Sequence, residues 1–198
     1  MKQIILLAVA FLAFGFANAQ DKKNMSFGIK GGLNVCLITN VTSIDVGVSS
    51  SALIGFHVGF FGEFMISDKF SIQPELLYST QGVKLDFSGA SGDLKLDYIT
   101  IPVMAKYYVA KDFSLEFGPQ VGFLISAKAK SSGVSIDVKD MMQTTDFGLN
   151  LGAGYYIGKS MNLGLRYNFG LSRVQKDLAS GESASKNSVF QLSFGYKF

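Results

Sequence analysis

The segment Phe190-Gln191-Leu192-Ser193-Phe194-Gly195-Tyr196-Lys197-Phe198 places an aromatic or aliphatic residue at every even position and a polar or small one at every odd position. Successive side chains of a β-strand point to opposite faces, so this period of two describes a strand with one apolar face and one polar face. The rhythm continues upstream. Met161, Leu163, Leu165, Tyr167, Phe169 and Leu171 alternate with Asn162, Gly164, Arg166, Asn168, Gly170 and Ser172, and Phe147 to Ile157 alternates in the same way against Gly148, Asn150, Gly152, Gly154 and Tyr156.

Five further segments carry the pattern. Phe113 to Ile125 opposes Ser114, Glu116, Gly118, Gln120, Gly122 and Ser126, with Leu124 out of place. Ile99 to Val109 opposes Thr100, Pro102, Met104, Lys106 and Tyr108, but Leu94, Leu96 and Tyr98 belong to the other parity. That slip predicts a β-bulge near Tyr98 to restore the facing. Phe70 to Tyr78 opposes Ser71, Gln73, Glu75, Leu77 and Ser79; Ile54 to Phe64 opposes Gly55, His57, Gly59 and Glu63; Phe27 to Val35 opposes Gly28, Lys30, Gly32 and Asn34. Eight strands are therefore expected.

Ser67-Asp68-Lys69, Ala110-Lys111-Asp112 and Gly158-Lys159-Ser160 read as tight turns, whereas 38–51, 82–93, 128–144 and 172–186 read as long polar loops. Short turns on one rim, long loops on the other and an even strand number describe an all-β, eight-stranded antiparallel up-and-down transmembrane β-barrel. Closure pairs every strand edge, as a sheet in lipid requires. A secreted lipocalin-like barrel has the same strand number with its apolar face inward around a ligand. Side-chain volume favours the membrane reading, because a narrow interior accommodates Gly, Ser and Asn more easily than rows of Phe, Tyr and Leu. Phe70, Tyr78, Phe113, Tyr155, Tyr167 and Phe198 are then candidates for interfacial girdles.

Composition agrees. The 198 residues are 48% hydrophobic, 13% aromatic and only 17% charged, with 22 Gly, 3 Pro and no Trp, which excludes a disordered chain. Lys2, the apolar stretch Ile4 to Phe16 and Ala17-Asn18-Ala19 have the order of a secretory signal peptide, so 1–19 is read as a signal segment and 20–198 as one barrel domain. Without Lys2 the chain carries 17 basic against 15 acidic residues, too balanced for a nucleic-acid partner. Beyond Phe16 no apolar run approaches the ~20 residues of a membrane helix. Cys36 is the sole cysteine and is read as a small packed residue, which leaves no internal disulfide.

With the polar faces inward, Lys30, His57, Glu63, Glu75, Lys106, Glu116, Arg166 and Lys197 fall in the lumen. Buried charges are costly unless paired, so a mutually compensating network that fills the lumen is expected in place of a conducting path. One histidine and no ligand-like spacing leave no metal site, and no cofactor is implied. His57, Ser79 and Glu75 are the residue types of a lipid A-modifying enzyme, but their inward faces argue against catalysis at the bilayer. Gly31-Gly32 and Gly152-x-Gly154 are strand glycines and not phosphate loops, since no helix follows them.

The final strand, through Phe194, Tyr196 and Phe198, resembles the C-terminal assembly signal of Gram-negative outer-membrane proteins. More of the chain resembles the PorT-like outer-membrane β-barrel family of Bacteroidota. The matching stretches are Gly28 to Asn34, Gln73-Pro74-Glu75-Leu76-Leu77-Tyr78-Ser79, Tyr98 to Val103, Lys106-Tyr107-Tyr108 and Gly118-Pro119-Gln120-Val121-Gly122. The resemblance implies a barrel in the outer membrane, surrounded by outer-membrane lipid and inserted by the barrel-assembly machinery. It carries no shared catalytic activity, and a role in protein secretion does not follow from it. The expected function is structural or surface interaction, with small-solute transport as the alternative. Loop residues Val41 to Ser51 and Lys128 to Thr144, including Val134, Ile136, Val138, Met141 and Met142, are the candidate surface for a partner.

Overall fold

The computed structural model describes residues 25–39, 49–87, 90–131, 133–176 and 185–198; the expected signal segment, residues 40–48 of the first long loop and residues 177–184 of the last lie outside them. Strands β1 (Met25–Thr39), β2 (Ser49–Ser67), β3 (Phe70–Phe87), β4 (Ala90–Ala110), β5 (Phe113–Ser131), β6 (Val134–Asp137), β7 (Thr145–Ile157), β8 (Met161–Gly170) and β9 (Lys186–Lys197) form one antiparallel sheet. β9 returns to β1, from Gly28 opposite Lys197 to Thr39 opposite Lys186, and β4 pairs β5, so eight strands close into a ring. The short β6 pairs only β5 and stands outside that ring.

The alternation sets the facing. Phe117, Leu165 and Phe194 are each about half exposed, at 51%, 47% and 49%, while Lys106, Asn150 and Ser193 on the opposite parity are buried. Outward residues of β4 run from Val109 to Ile99. Ten rises of ~3.4 Å at a tilt of ~45° climb roughly 25 Å, the height of a lipid-facing band. At the short-turn rim Phe70 faces Tyr107 and Phe113 faces Tyr155 across neighbouring strands, part of an aromatic girdle. Gly158, with φ of 70° in the β7–β8 turn, takes a left-handed conformation that a Cβ would penalise. Gly28 has a different task, since a Cβ there would collide with the Phe61 ring inside the barrel.

Three expectations need correction. Residues 82–87 and 90–93 are not loop, because the β3–β4 ladder continues from Thr80 opposite Asp97 to Phe87 opposite Ala90. Likewise β5 extends to Ser131 and doubles back as β6 before a single 3₁₀ turn at Lys139–Met141. Backbone pairing is indifferent to side-chain polarity, and polar composition here marks strands that rise beyond the hydrocarbon. The third concerns Tyr98. Leu96, Tyr98, Thr100 and Met104 are all buried, so β4 keeps one parity and its facing is never switched. A register shift does occur between Asp97 and Tyr98, but the extra residue is Ile125 on β5, which lets Leu124 and Ala127 both point inward.

Candidate functional site

The lumen is filled in layers from the short-turn rim upward. In the first layer, Glu63 of β2 accepts hydrogen bonds from Ser71 (2.9 Å), Tyr156 (2.9 Å) and Tyr108. Lys106 of β4 lies 3.3 Å from the same carboxylate, and the partly exposed Lys197 lies 3.7 Å from it. Both ammonium groups also sit over the Tyr156 ring, at 5.0 and 4.7 Å, as cation–π contacts.

The second layer centres on Glu75 of β3. Arg166 of β8 donates to both of its oxygens at 2.9 Å, a bidentate fork, and reaches Glu116 of β5 at 3.0 Å with the same guanidinium. Lys30 of β1 lies 3.3 Å from Glu75, and Gln73 donates to it at 2.7 Å. Lys106 joins the two layers, 3.5 Å from Glu116 and donating to Gln73 at 3.1 Å. Seven of the eight candidate residues thus form one connected cluster of four cations and three carboxylates. Burial of so many charges is tolerable only because each has an opposite partner.

His57 stands apart from these ion pairs. Its Nδ1 pairs with Asn34 Oδ1 (2.8 Å) and its Nε2 with Ser193 Oγ (2.9 Å), in a neutral layer where Asn34 also donates to Ser79 (3.0 Å) and Gln191 donates to Asn34 (3.1 Å). Above it, Asn168 donates to Asn150 (3.0 Å), and Asn187 donates to Tyr98 and Asp146 at 3.4 Å each. Cys36 is buried as a free thiol, its Sγ directed at the Thr80 carbonyl.

At the long-loop end the filling turns apolar. Ile38, Val83, Leu96, Tyr98, Leu124, Ala127 and Val174 form a buried plug, with Leu85, Leu94, Val138 and Met142 packed on it. Chain folds over this plug: Gln143 N–H donates to the Val174 carbonyl and Val174 N–H to the Ser185 carbonyl, both at 2.8 Å. A residual apolar space of about 90 Å³ remains between Val83, Leu94, Met142 and Val174. Sequence reasoning missed Tyr108 and Tyr156 as carboxylate partners and missed the plug. The available signals were two tyrosines on the charge-bearing parity beside the short turns, and the inward Leu94, Leu96, Tyr98 and Leu124 read as errors of phase. Among the described residues no group of three or more His, Cys, Asp or Glu is placed to hold a metal.

A closed ring of eight antiparallel strands with a lipid-height apolar exterior and an ion-paired interior defines a small outer-membrane β-barrel. The chain belongs to the family described as outer membrane protein beta-barrel domain, whose family model matches residues 16–175, and its location is the outer membrane. Among solved structures it is similar to Ail, the attachment invasion locus protein of Yersinia pestis, at 16% identity over 88% of this chain and 99% of that one, with a TM-score of 0.51. It is similar also to Neisserial surface protein A, at 15% identity over 89% of this chain and 100% of that one, with a TM-score of 0.55. At these identities the likeness is one of fold. No curated protein matches in sequence.

Proposed function

We propose that this protein is a structural or surface-interaction barrel of the outer membrane, without catalysis and without an open channel, and that it falls in the PorT-like part of its family. One observation carries the reading: the lumen is occupied twice over, by the Glu75–Arg166–Glu116 layer and by the plug around Leu96 and Tyr98. A solute would have to break a bidentate ion pair and then displace a dry apolar layer. The residue types that suggest lipid A modification are already committed, with both His57 ring nitrogens bonded to Asn34 and Ser193, Ser79 bonded to Asn34 and Glu75 held by Arg166.

Surface interaction draws support from the five loop residues, which divide by direction. Val138 and Met142 pack on the plug, whereas Val134 and Ile136, each 60% exposed, and Met141, 68% exposed, face outward on the long-loop side. Exposed apolar residues of that kind suit a protein partner. Phe194, Tyr196 and Phe198 lie on the outer face of the closing strand, where the assembly machinery would meet them. Reconstitution of the refolded protein in planar bilayers tests the closed lumen. No stepwise conductance is expected at neutral pH and moderate voltage, and reproducible steps would establish the transport reading instead.

A further inference from the structure

Above the lipid-facing band, the outer surface of β3, β4 and β5 changes from apolar to basic. Val83, Leu94, Leu96 and Ala127 turn inward, so by alternation Lys84, Lys95, Lys128 and Lys130 project outward, and all four are exposed. Lys95 and Lys128 are directly opposed across the β4–β5 ladder, and Asp93 lies between Lys84 and Lys130 on the next level up. Lys139 crosses onto the same face, where its ammonium donates to the Ile125 carbonyl at 2.9 Å. The acids beside them are Asp93, Asp97 and Asp137. Asp137 accepts the Lys139 backbone N–H at 2.9 Å. Among the residues whose side chains are described, five cations against three acids leave the patch positive. Among the described residues none of Lys84, Lys95, Lys128 and Lys130 makes an ion pair.

Like charges directly opposed on neighbouring strands destabilise a sheet. The Lys95–Lys128 pair is therefore a local cost that an anion lying across both would remove. Below the lysines, beyond the level of Asp97, the outward residues are Ile99, Ile101, Val121, Phe123 and Ile125, a strip suited to acyl chains. Directly above them an open groove of about 390 Å³ is lined by Ser91, Asp93, Lys130, Ser131, Val134 and Ser135, whose three hydroxyls suit a sugar with Val134 against its ring. Apolar strip, cationic step and polar groove follow one another in the order of acyl chain, phosphate and carbohydrate in a phosphorylated glycolipid. We propose that this face of the barrel binds such a lipid of the outer leaflet, its phosphate bridging Lys95 and Lys128.

The test compares bisphosphorylated lipid A with enzymatically dephosphorylated lipid A, each titrated against the full-length barrel in neutral detergent and read by native mass spectrometry. A lysine near an anionic lipid surface is worth about a fivefold change in affinity. The double variant Lys95→Gln with Lys128→Gln is therefore expected to bind the phosphorylated lipid about thirtyfold more weakly, while Lys111→Gln at the opposite rim leaves binding unchanged. The double variant should also unfold at a higher temperature than the parent in lipid-free detergent and lose that advantage once the lipid is present. Equal affinity for the two lipids, or a double variant that binds as the parent does, would overturn the proposal. So would displacement of the lipid by millimolar inorganic phosphate, which would reduce the patch to a simple anion site.

Discussion

Replacing Glu75 by Gln keeps the side-chain shape and removes one charge at the centre of the lumen. Glu75 is buried and takes the Arg166 fork at 2.9 Å, the Lys30 ammonium at 3.3 Å and the Gln73 amide at 2.7 Å. In Glu75→Gln, Arg166 retains Glu116, but Lys30 loses the only carboxylate with which it forms an ion pair among the described residues. Removing one partner of a buried pair leaves an uncompensated charge and costs about 3–5 kcal/mol. Lys30→Met removes the opposite side of the same contact yet leaves Glu75 held by Arg166, so its cost is nearer to that of one charge-assisted hydrogen bond, about 1.5–3 kcal/mol. The double variant is expected to be more stable than Glu75→Gln alone, because no cation is then left stranded. The chain has no Trp, so urea unfolding in lipid vesicles is followed by far-ultraviolet circular dichroism and by heat-dependent gel mobility. A Glu75→Gln barrel within ~0.5 kcal/mol of the parent, or a Lys30→Met barrel less stable than Glu75→Gln, would refute the reasoning.

Leu165 lies near the middle of β8 on the lipid face, and Leu165→Arg should destabilise the folded barrel by about 2–4 kcal/mol when equilibrium unfolding is measured in vesicles. A cost near zero would mean that this face does not meet hydrocarbon. Leu96 is fully buried in the plug, so Leu96→Ala should cost about 2–5 kcal/mol in the same unfolding assay. In planar bilayers it should remain non-conducting, since the ionic layers beneath are untouched.

Much of this architecture was legible because a transmembrane barrel writes its environment onto every second residue. The alternations ending at Phe198 and Leu171 assigned strands, faces and the two rims, and they placed Arg166, Glu75 and Glu116 on inward parity. Where reading failed, the reason was physical. Lys84, Asp93, Lys128 and Ser135 have the composition of loops, yet they stand in paired strands because the ladder outlasts the hydrocarbon. Leu96 and Tyr98 break the rule that inward means polar, and their parity alone suggests a bulge that the strand does not need. The interior does not obey one rule along its height. At the long-loop end inward side chains meet one another in a dry plug, and apolar residues belong there.

Outside the plug, the sequence by itself determined which side chains meet lipid and which meet the axis, because strand geometry converts position into direction; the facing of Leu96, Tyr98 and Leu124 was left to the tertiary structure. Only the tertiary structure decided which inward groups touch. Arg166 lies 91 residues from Glu75 and 50 from Glu116. Their meeting depends on how far each strand is shifted against the next when the sheet closes, a quantity that belongs to the ring as a whole and that no single strand encodes.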